Sequence, residues 1–349
     1  MVDYRNKNVG RRVHSFSNYQ LLPSDTTIGE FTIWKQYNSY IVDKYKPFGL
    51  KNFTGKCCYM NSLIQVLLCI CAYDKSNPGN IHISESKEGK LVQDLLILPI
   101  RIKNANQRHD NKRFYNKTFI NKCAKIETIL DGSQEQDVHE CFSIFKNIFE
   151  KGTRTCLLDN TSDATDDMFT SLPQFWFAHG QKVSYVCKKC NNTSYVYENV
   201  LEHNIVPLQN ATTLEMLSSS LTYDVNKGSC NGCGNKLFTC KVNFTDHPRI
   251  LCLLVLRYTY ENGTTAMNFA PVNISTEMIF DSTKYELLSV IHHHRSDITR
   301  HYTSTVKYLK YFHIDDYIVT DQQTKDLEKS QSAYLIMYRQ TNKLQLHSS

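Results

Sequence analysis

The sequence predicts an α+β fold, with helices gathered before about residue 165 and strands after it. Three observations carry that expectation. Apolar residues recur at helical spacing three times in the first half of the chain, and runs of β-branched and aromatic residues separated by turn residues fill the second half. At 349 residues and 41% hydrophobic, the chain is also long enough to bury a sizeable core, as two or three domains or subdomains or as one large domain.

The elements follow in order. Residues 1 to about 30 are polar and without period, so residues 1–47 are expected to be a partly flexible lead-in. Gly49-Leu50-Lys51-Asn52-Phe53-Thr54-Gly55 reads as a loop. It enters an apolar run from Tyr59 to Ala72, with Met60, Leu63, Ile64, Leu67 and Leu68 at helical spacing. A second helix is expected over about Lys90 to Leu98, where Pro99 ends it. A third is expected from Asp137 to Phe149, with Val138, Cys141, Phe142, Phe145 and Phe149 on one face. Lys182 to Val186, Ile250 to Tyr258 and Ala333 to Tyr338 read as strands.

Composition narrows the function classes. The formal charge of +6 is mild, and apart from Arg5, Lys7, Arg11 and Arg12 the basic residues are scattered, so no specific nucleic-acid partner is expected. Met1 to Asn6 is polar rather than a signal sequence, and the densest apolar runs, Leu63 to Ala72 and Ile250 to Leu256, fall far short of a membrane span. Thirteen cysteines, an odd number, fit poorly with a fully paired disulfide framework. A reducing compartment, cytoplasmic or nuclear, is expected, with thiols serving metal binding and catalysis. The Asn-X-Ser/Thr triplets at Asn160, Asn210 and Asn262 are then accidental.

Two distant stretches make chemical sense together. Cys57 and Cys58 stand where the Gly55 loop meets the apolar helical run, and Arg300-His301-Tyr302 precedes Ile314-Asp315-Asp316. A thiol near a helix N-terminus, a histidine and a carboxylate are the parts of a thiol-hydrolase site. The helix end and the imidazole help a thiol of ordinary pKa about 8.5 to ionise. Either cysteine satisfies this pattern, and both are also compatible with plain core packing. A strand through Asp315 and Asp316 would turn their side chains to opposite faces, so that one of them orients the histidine. His292-His293-His294 reads as a solvated polar run, since consecutive residues do not converge on one ion. Cys187-Lys188-Lys189-Cys190 and Cys230-Asn231-Gly232-Cys233 are two CxxC pairs, each presenting two thiolates from a tight knuckle; together they read as a structural zinc site, with redox or free thiols as the alternative.

These motifs, in this order, resemble the ubiquitin-specific proteases. The cysteine box is matched by Gly49-Leu50-Lys51-Asn52, Gly55, Cys58-Tyr59-Met60-Asn61-Ser62 and Gln65, and the histidine box by Leu288 to His294, Arg300-His301-Tyr302, Tyr311 to Asp316 and Ala333 to Tyr338. The resemblance implies a papain-like catalytic domain over 48–339, with a helical thumb at about 48–165, zinc-binding fingers and a β-rich palm at about 166–339, and a tail at 340–349. It maps the nucleophile to Cys58, the general base to His301, its orienting carboxylate to Asp315 with Asp316 as the neighbour able to share that role, and an oxyanion donor to Asn52. Gln134 to Glu140 is similar to the family's second box, so Gln136, Asp137 and Glu140, together with Tyr302, are expected to bind the ubiquitin tail, which carries arginines before its Gly-Gly terminus. Alone, Asp137 reads equally well as an acidic helix start. One zinc ion on Cys187, Cys190, Cys230 and Cys233 is implied, and no catalytic cofactor.

The chain departs from the family pattern mildly at Glu135, where glutamine is usual, and more consequentially at two other places. One residue is inserted between Asn52 and Gly55, and Arg300 stands where the family usually has glycine, where it would crowd the channel or lower the imidazole's affinity for a proton. The expected function is deubiquitination by a cysteine hydrolase. The alternatives are an impaired ubiquitin-binding scaffold, a protease for another ubiquitin-like modifier, and a zinc-stabilised nucleic-acid-binding protein, against which the scattered charge argues.

Overall fold

A computed structural model describes residues 28–29, 47–73, 81–107, 113–156, 169–261, 264–295 and 300–343. The expected lead-in lies outside these residues except for Ile28–Gly29 and Pro47, and of the expected tail only residues up to Lys343 lie inside. Among the described residues two compact units are formed, one from residues within 28–176 and 288–324, the other from residues within 177–287 and 325–343. The chain therefore leaves the first unit and returns to it, instead of dividing once near residue 165.

The first unit is built around helix α1 (Cys58–Tyr73). Nearly every side chain along it is buried, as an all-round apolar helix requires. Its three buried polar residues sit near the start: Asn61 and Gln65 donate to the carbonyls of Leu50 and Phe48 and so fasten the preceding loop. Helix α2 (Lys87–Gln107) does not stop at Pro99. The ring removes one hydrogen bond and crowds the carbonyl of Leu95, a cost of about 3 kcal/mol. Burial of Leu91, Val92, Leu95, Leu96 and Leu98 in the turns before it outweighs that cost, at about 1.5–3 kcal/mol per side chain. Helices α3 (Arg113–Ala124) and α4 (Val138–Gly152) pack beside it. The buried face of α4 is the expected one, Val138, Cys141, Phe142, Phe145 and Phe149, with Ile148 added.

Two sheets belong to this unit. A small antiparallel one joins β1 (Ile28–Gly29), β2 (Ile81–Ser84), β3 (Thr153–Cys156) and β4 (Phe169–Thr170). The other joins the last eight residues of β14 (Thr283–Arg295) to β15 (Arg300–Lys307), β16 (Tyr311–Asp315) and β17 (Ile318–Gln322), all antiparallel.

The second unit contains a four-stranded sheet in the order β6-β5-β9-β8: Thr193–Val200, His179–Cys187, Leu237–Phe244 and Thr222–Asn226. It also holds β7 (His203–Ile205), β10 (Ile250–Val255) and β18 (Ala333–Lys343), with β10 between the other two, and the hairpins β11–β12 (Tyr258–Glu261, Thr264–Met267) and β13–β14, with β13 at Glu277–Phe280. β10 is buried throughout, and β18 runs four residues past the expected domain end at 339.

The expected strand from Ile250 to Tyr258 breaks at Leu256 and Arg257 because Arg257 turns inward. Its side chain is 1% exposed and donates to the carbonyls of Ala333, Asn268, Ala270 and Ser330. Burial pulls this guanidinium down to about 10, yet it stays charged at neutral pH. Arg257→Met is expected to leave these carbonyls without donors and to cost about 3 kcal/mol or more, since each unsatisfied buried group costs about 1–3 kcal/mol. A urea midpoint equal to that of the wild type would refute this.

Candidate active site

Cys58 is the first residue of α1 and is 2% exposed, so its sulfur lies at the positive end of the helix dipole. The His301 ring on β15 is held between two partners: it hydrogen-bonds Cys58, and its Nε2 lies 2.7 Å from Asp315 Oδ1 at the end of β16. The hydrogen bond to Cys58 and then that to Asp315 outweigh partial burial and push the imidazole up to about 9. The ring thus meets both the sulfur and the carboxylate within one compact unit.

Asp315 and Asp316 do diverge, though not by strand alternation. The strand ends at Asp315, and Asp316 adopts a left-handed conformation at φ 48°. Its carboxylate accepts from Asn61 Nδ2 at 2.7 Å and from Asn52 Nδ2 at 3.1 Å, and its carbonyl accepts from the Leu50 N–H at 2.8 Å. Burial pushes the Asp316 carboxyl up, opposed by the two amide donors. The signal for this contact was Asn61 itself, one of three buried polar residues in a largely apolar helix.

Asn52 is held at both ends. Its Oδ1 accepts from the Cys57 N–H at 2.9 Å while Nδ2 donates to Asp316. The inserted residue is absorbed in the exposed turn at Thr54 to Lys56, where Gly55 takes φ 74°. The amide therefore stays beside the thiol-bearing helix end despite the longer loop. Gly49 is required nearby, because a Cβ there would meet the Tyr317 carbonyl oxygen at 2.2 Å.

Cys57 has other company. Its sulfur lies 3.2 Å from Thr54 Oγ1 and 3.7 Å from the Gly132 carbonyl oxygen, and burial pushes its thiol up. No interaction with His301 accompanies it, so geometry separates the two adjacent cysteines.

Asp137 caps α4, its Oδ1 accepting from the His139 N–H at 2.8 Å and the Glu140 N–H at 3.3 Å. Gln136 is half-buried just before it, and Glu140 is exposed in the first turn. Tyr302 is buried and stacks on His293 with ring centroids 4.4 Å apart and planes 11° apart. The histidine run is therefore not solvated as expected: His292 and His293 are buried and only His294 is exposed. The three alternate along β14, so that His292 and His294 bond Thr305 and Thr303 on the face of His301 while His293 meets Tyr302 on the other. Burial holds His293 down to about 4, with Asp137 opposing and Arg300 and Arg295 assisting.

This also corrects the expectation for Arg300. It neighbours His301 in sequence, but strand alternation sends its side chain to the Tyr302 face, and the His301 imidazole is raised rather than lowered.

The second unit brings together Cys187, Cys190, Cys230 and Cys233, whose sulfurs all lie within 4.8 Å of one another. Cys187 to Cys233 and Cys190 to Cys230 are each 3.6 Å apart, too far for disulfides and suited to the edges of a tetrahedron of thiolates on one ion. The two knuckles match residue for residue. Cys187 N–H donates to the Asn192 carbonyl and Cys230 N–H to that of Asn235, while Asn191 and Gly234, the residues after each second cysteine, take φ 57° and 71°. Burial raises the Cys187 thiol, but N–H donors from Cys190 and Lys189 and the Asn235 amide at 3.6 Å outweigh it and bring it down to about 6. Four cysteines with these N–H···S bonds form a donor set that fits zinc.

The sequence model of the family described as ubiquitin carboxyl-terminal hydrolase matches residues 48–338. Among solved structures, the chain is similar to the SAGA DUB module Ubp8/Sgf11/Sus1/Sgf73 bound to monoubiquitin, at 18% identity and a TM-score of 0.66, covering 89% of this chain and 75% of that one. The same module bound to ubiquitin aldehyde gives 17% identity, a TM-score of 0.65 and the same coverage. A yeast SAGA DUBm structure gives 16% and 0.62, covering 91% of this chain and 72% of that one. At these identities the structural likeness shows the fold. No curated protein sequence matches the chain.

Proposed function

Since the chain belongs to the ubiquitin carboxyl-terminal hydrolase family, we propose that it is a deubiquitinating cysteine hydrolase that cleaves after the C-terminal glycine of ubiquitin in conjugates or precursors. The observation that carries the proposal is His301, bonded on one side to Cys58 and on the other to Asp315 at 2.7 Å.

His301 takes the thiol proton, and the Cys58 sulfur forms a bond to the glycine carbonyl carbon as the carbonyl electron pair moves to oxygen. Asn52 has a second amide N–H beyond the one given to Asp316, and with a backbone N–H it would hold that oxyanion. Collapse breaks the C–N bond, and the imidazolium returns its proton to the leaving amine. Water, deprotonated by His301, then cleaves the thioester and restores the thiol. Asp315 keeps the ring turned to the sulfur throughout. Gln136, Asp137, Glu140 and Tyr302 are assigned to the tail, with the Asp137 charge suited to its arginines.

One zinc ion on Cys187, Cys190, Cys230 and Cys233 would contribute a structural cross-link and take no part in the reaction.

A ubiquitin probe with a C-terminal electrophile tests the proposal. Covalent capture should disappear in Cys58→Ala and survive in Cys57→Ala. Non-covalent binding without capture is the outcome the scaffold reading requires. Asp316→Ala should lower kcat about a hundredfold by releasing the Asn52 amide, with little change in KM. An unchanged kcat would separate Asp316 from the oxyanion.

A further inference from the structure

The two cysteine knuckles share a backbone pattern but not a sequence. Lys188 and Lys189 stand between the cysteines of the first, Asn231 and Gly232 between those of the second. Asn231 and Gly232 are both exposed. Their turn is closed by the Cys233 and Gly234 N–H groups, which donate to the Cys230 carbonyl at 3.3 and 2.8 Å, and the Gly232 N–H takes no part in that closure. Gly232 also lies against the other knuckle: a Cβ built on it would stand 3.4 Å from Asn192 Nδ2 and 3.6 Å from Cys190 Sγ. The Asn231-Gly232 backbone therefore runs beside the four-sulfur cluster. An asparagine followed by glycine is the pair whose side-chain amide and next backbone nitrogen react most readily, because glycine has no Cβ to obstruct the approach and takes up the backbone angles that ring closure needs. In the closed turn those angles are fixed, so the reaction waits on local opening. Both ends of the turn, Cys230 and Cys233, belong to the cluster that fits zinc.

We infer that Asn231 is a metal-gated deamidation site, protected while a zinc ion ties Cys230 to Cys233 and converted once the cluster is emptied. The inference rests on the zinc assignment and is independent of the hydrolase reading. In the opened turn the Gly232 backbone nitrogen gives up its proton and bonds to the Asn231 side-chain carbonyl carbon. The bond from that carbon to the amide nitrogen breaks, and ammonia leaves. Water then opens the cyclic imide at either carbonyl, giving an aspartate or an isoaspartate. The isoaspartyl form routes the chain through the side-chain carbon and so adds one backbone atom between Cys230 and Cys233. The two sulfurs then lose the spacing of a tight knuckle, and the ion no longer rebinds as before. The first knuckle, with lysines at the matching positions, has no such reaction. Loss of the metal is thereby made irreversible at one knuckle.

Ageing the full-length chain at mildly alkaline pH, zinc-loaded or stripped by a chelator, tests this. Peptide mass spectrometry follows the amide-to-acid mass gain at Asn231 and at Asn262, which heads the chain's other Asn-Gly pair. With free zinc at about 100 times its Kd, conversion at Asn231 should run about a hundredfold slower than in the stripped chain, because only the emptied knuckle reacts. Asn262 should not show that dependence. The aged, stripped chain should then rebind zinc more weakly than fresh chain, whereas Asn231→Ser aged in the same way should rebind it as fresh chain does. Conversion at Asn231 that ignores zinc, or equal acceleration of both sites on stripping, overturns the inference while leaving the zinc assignment standing. So does undiminished zinc rebinding by chain whose Asn231 has converted. A fresh chain that binds no zinc ends the zinc assignment and the inference together.

Discussion

His301→Ala is expected to slow hydrolysis of a ubiquitin amide by about 10²–10⁴-fold, the usual contribution of a positioned acid–base group. The ring is the only described link between the Cys58 sulfur and the Asp315 carboxylate, so its loss leaves the thiol without a proton acceptor and Asp315 without its task. Asp315→Asn should fall between His301→Ala and the wild type, since the ring would remain but lose its anionic partner.

The same residue has a signature in stability. His301 is raised from an ordinary 6.5 to about 9 in the folded protein, first by its bond to Cys58 and then by Asp315. A group whose folded pKa is raised contributes stability that is fully present below its unfolded value and lost as pH rises through the folded one. The melting-temperature difference between the wild type and His301→Ala should therefore be greatest below about pH 6.5 and fade as pH passes about 9. A difference that stays constant from pH 6 to 10 would show that the imidazole is not held by these partners.

The second large effect concerns the four cysteines. The wild-type chain should bind one zinc ion, and Cys187→Ser or exhaustive chelation should abolish the cooperative melting of the β5–β6–β8–β9 sheet. Apparent zinc-binding energies of about 10–16 kcal/mol in small structural sites exceed the stability of most domains. Little else in this sheet replaces the ion: the core beside the knuckles consists of Cys187, Cys230 and Phe238, with Tyr185, Val225 and Cys233 partly buried against them. Asn235→Ala, which removes an amide donor to the Cys187 sulfur, should weaken zinc affinity about 10–100-fold while preserving the fold. Metal analysis finding no zinc in a fully folded chain would end this assignment.

Residues whose role follows from local pattern were legible in the sequence. The apolar-rich run from Tyr59 to Ala72 reads as a helix because Met60, Leu63, Ile64, Leu67 and Leu68 recur at helical spacing. The face of α4 followed from the positions of Val138, Cys141, Phe142, Phe145 and Phe149, and each CxxC pair announces a thiolate knuckle by spacing alone. Residues whose role depends on distant partners were misread. Pro99 reads as a helix end because neighbouring residues show its cost, while the burial that outweighs it comes from other helices. His292 and His293 read as solvated because nothing adjacent in sequence reveals Thr305 or Tyr302 across the strands. Arg257 reads as an ordinary strand residue until its carbonyl partners, up to 76 residues away, are seen.

By itself the sequence determined the α+β class and the two CxxC knuckles, because these depend on residue type and short-range spacing. Only the tertiary structure separated Cys58 from Cys57 by their contacts, turned Asp316 from a second orienter into the anchor of Asn52, and moved Arg300 off the face of the base. Those outcomes depend on which way a side chain points and what it meets, and that is settled by strand register and by partners that folding brings in from far along the chain.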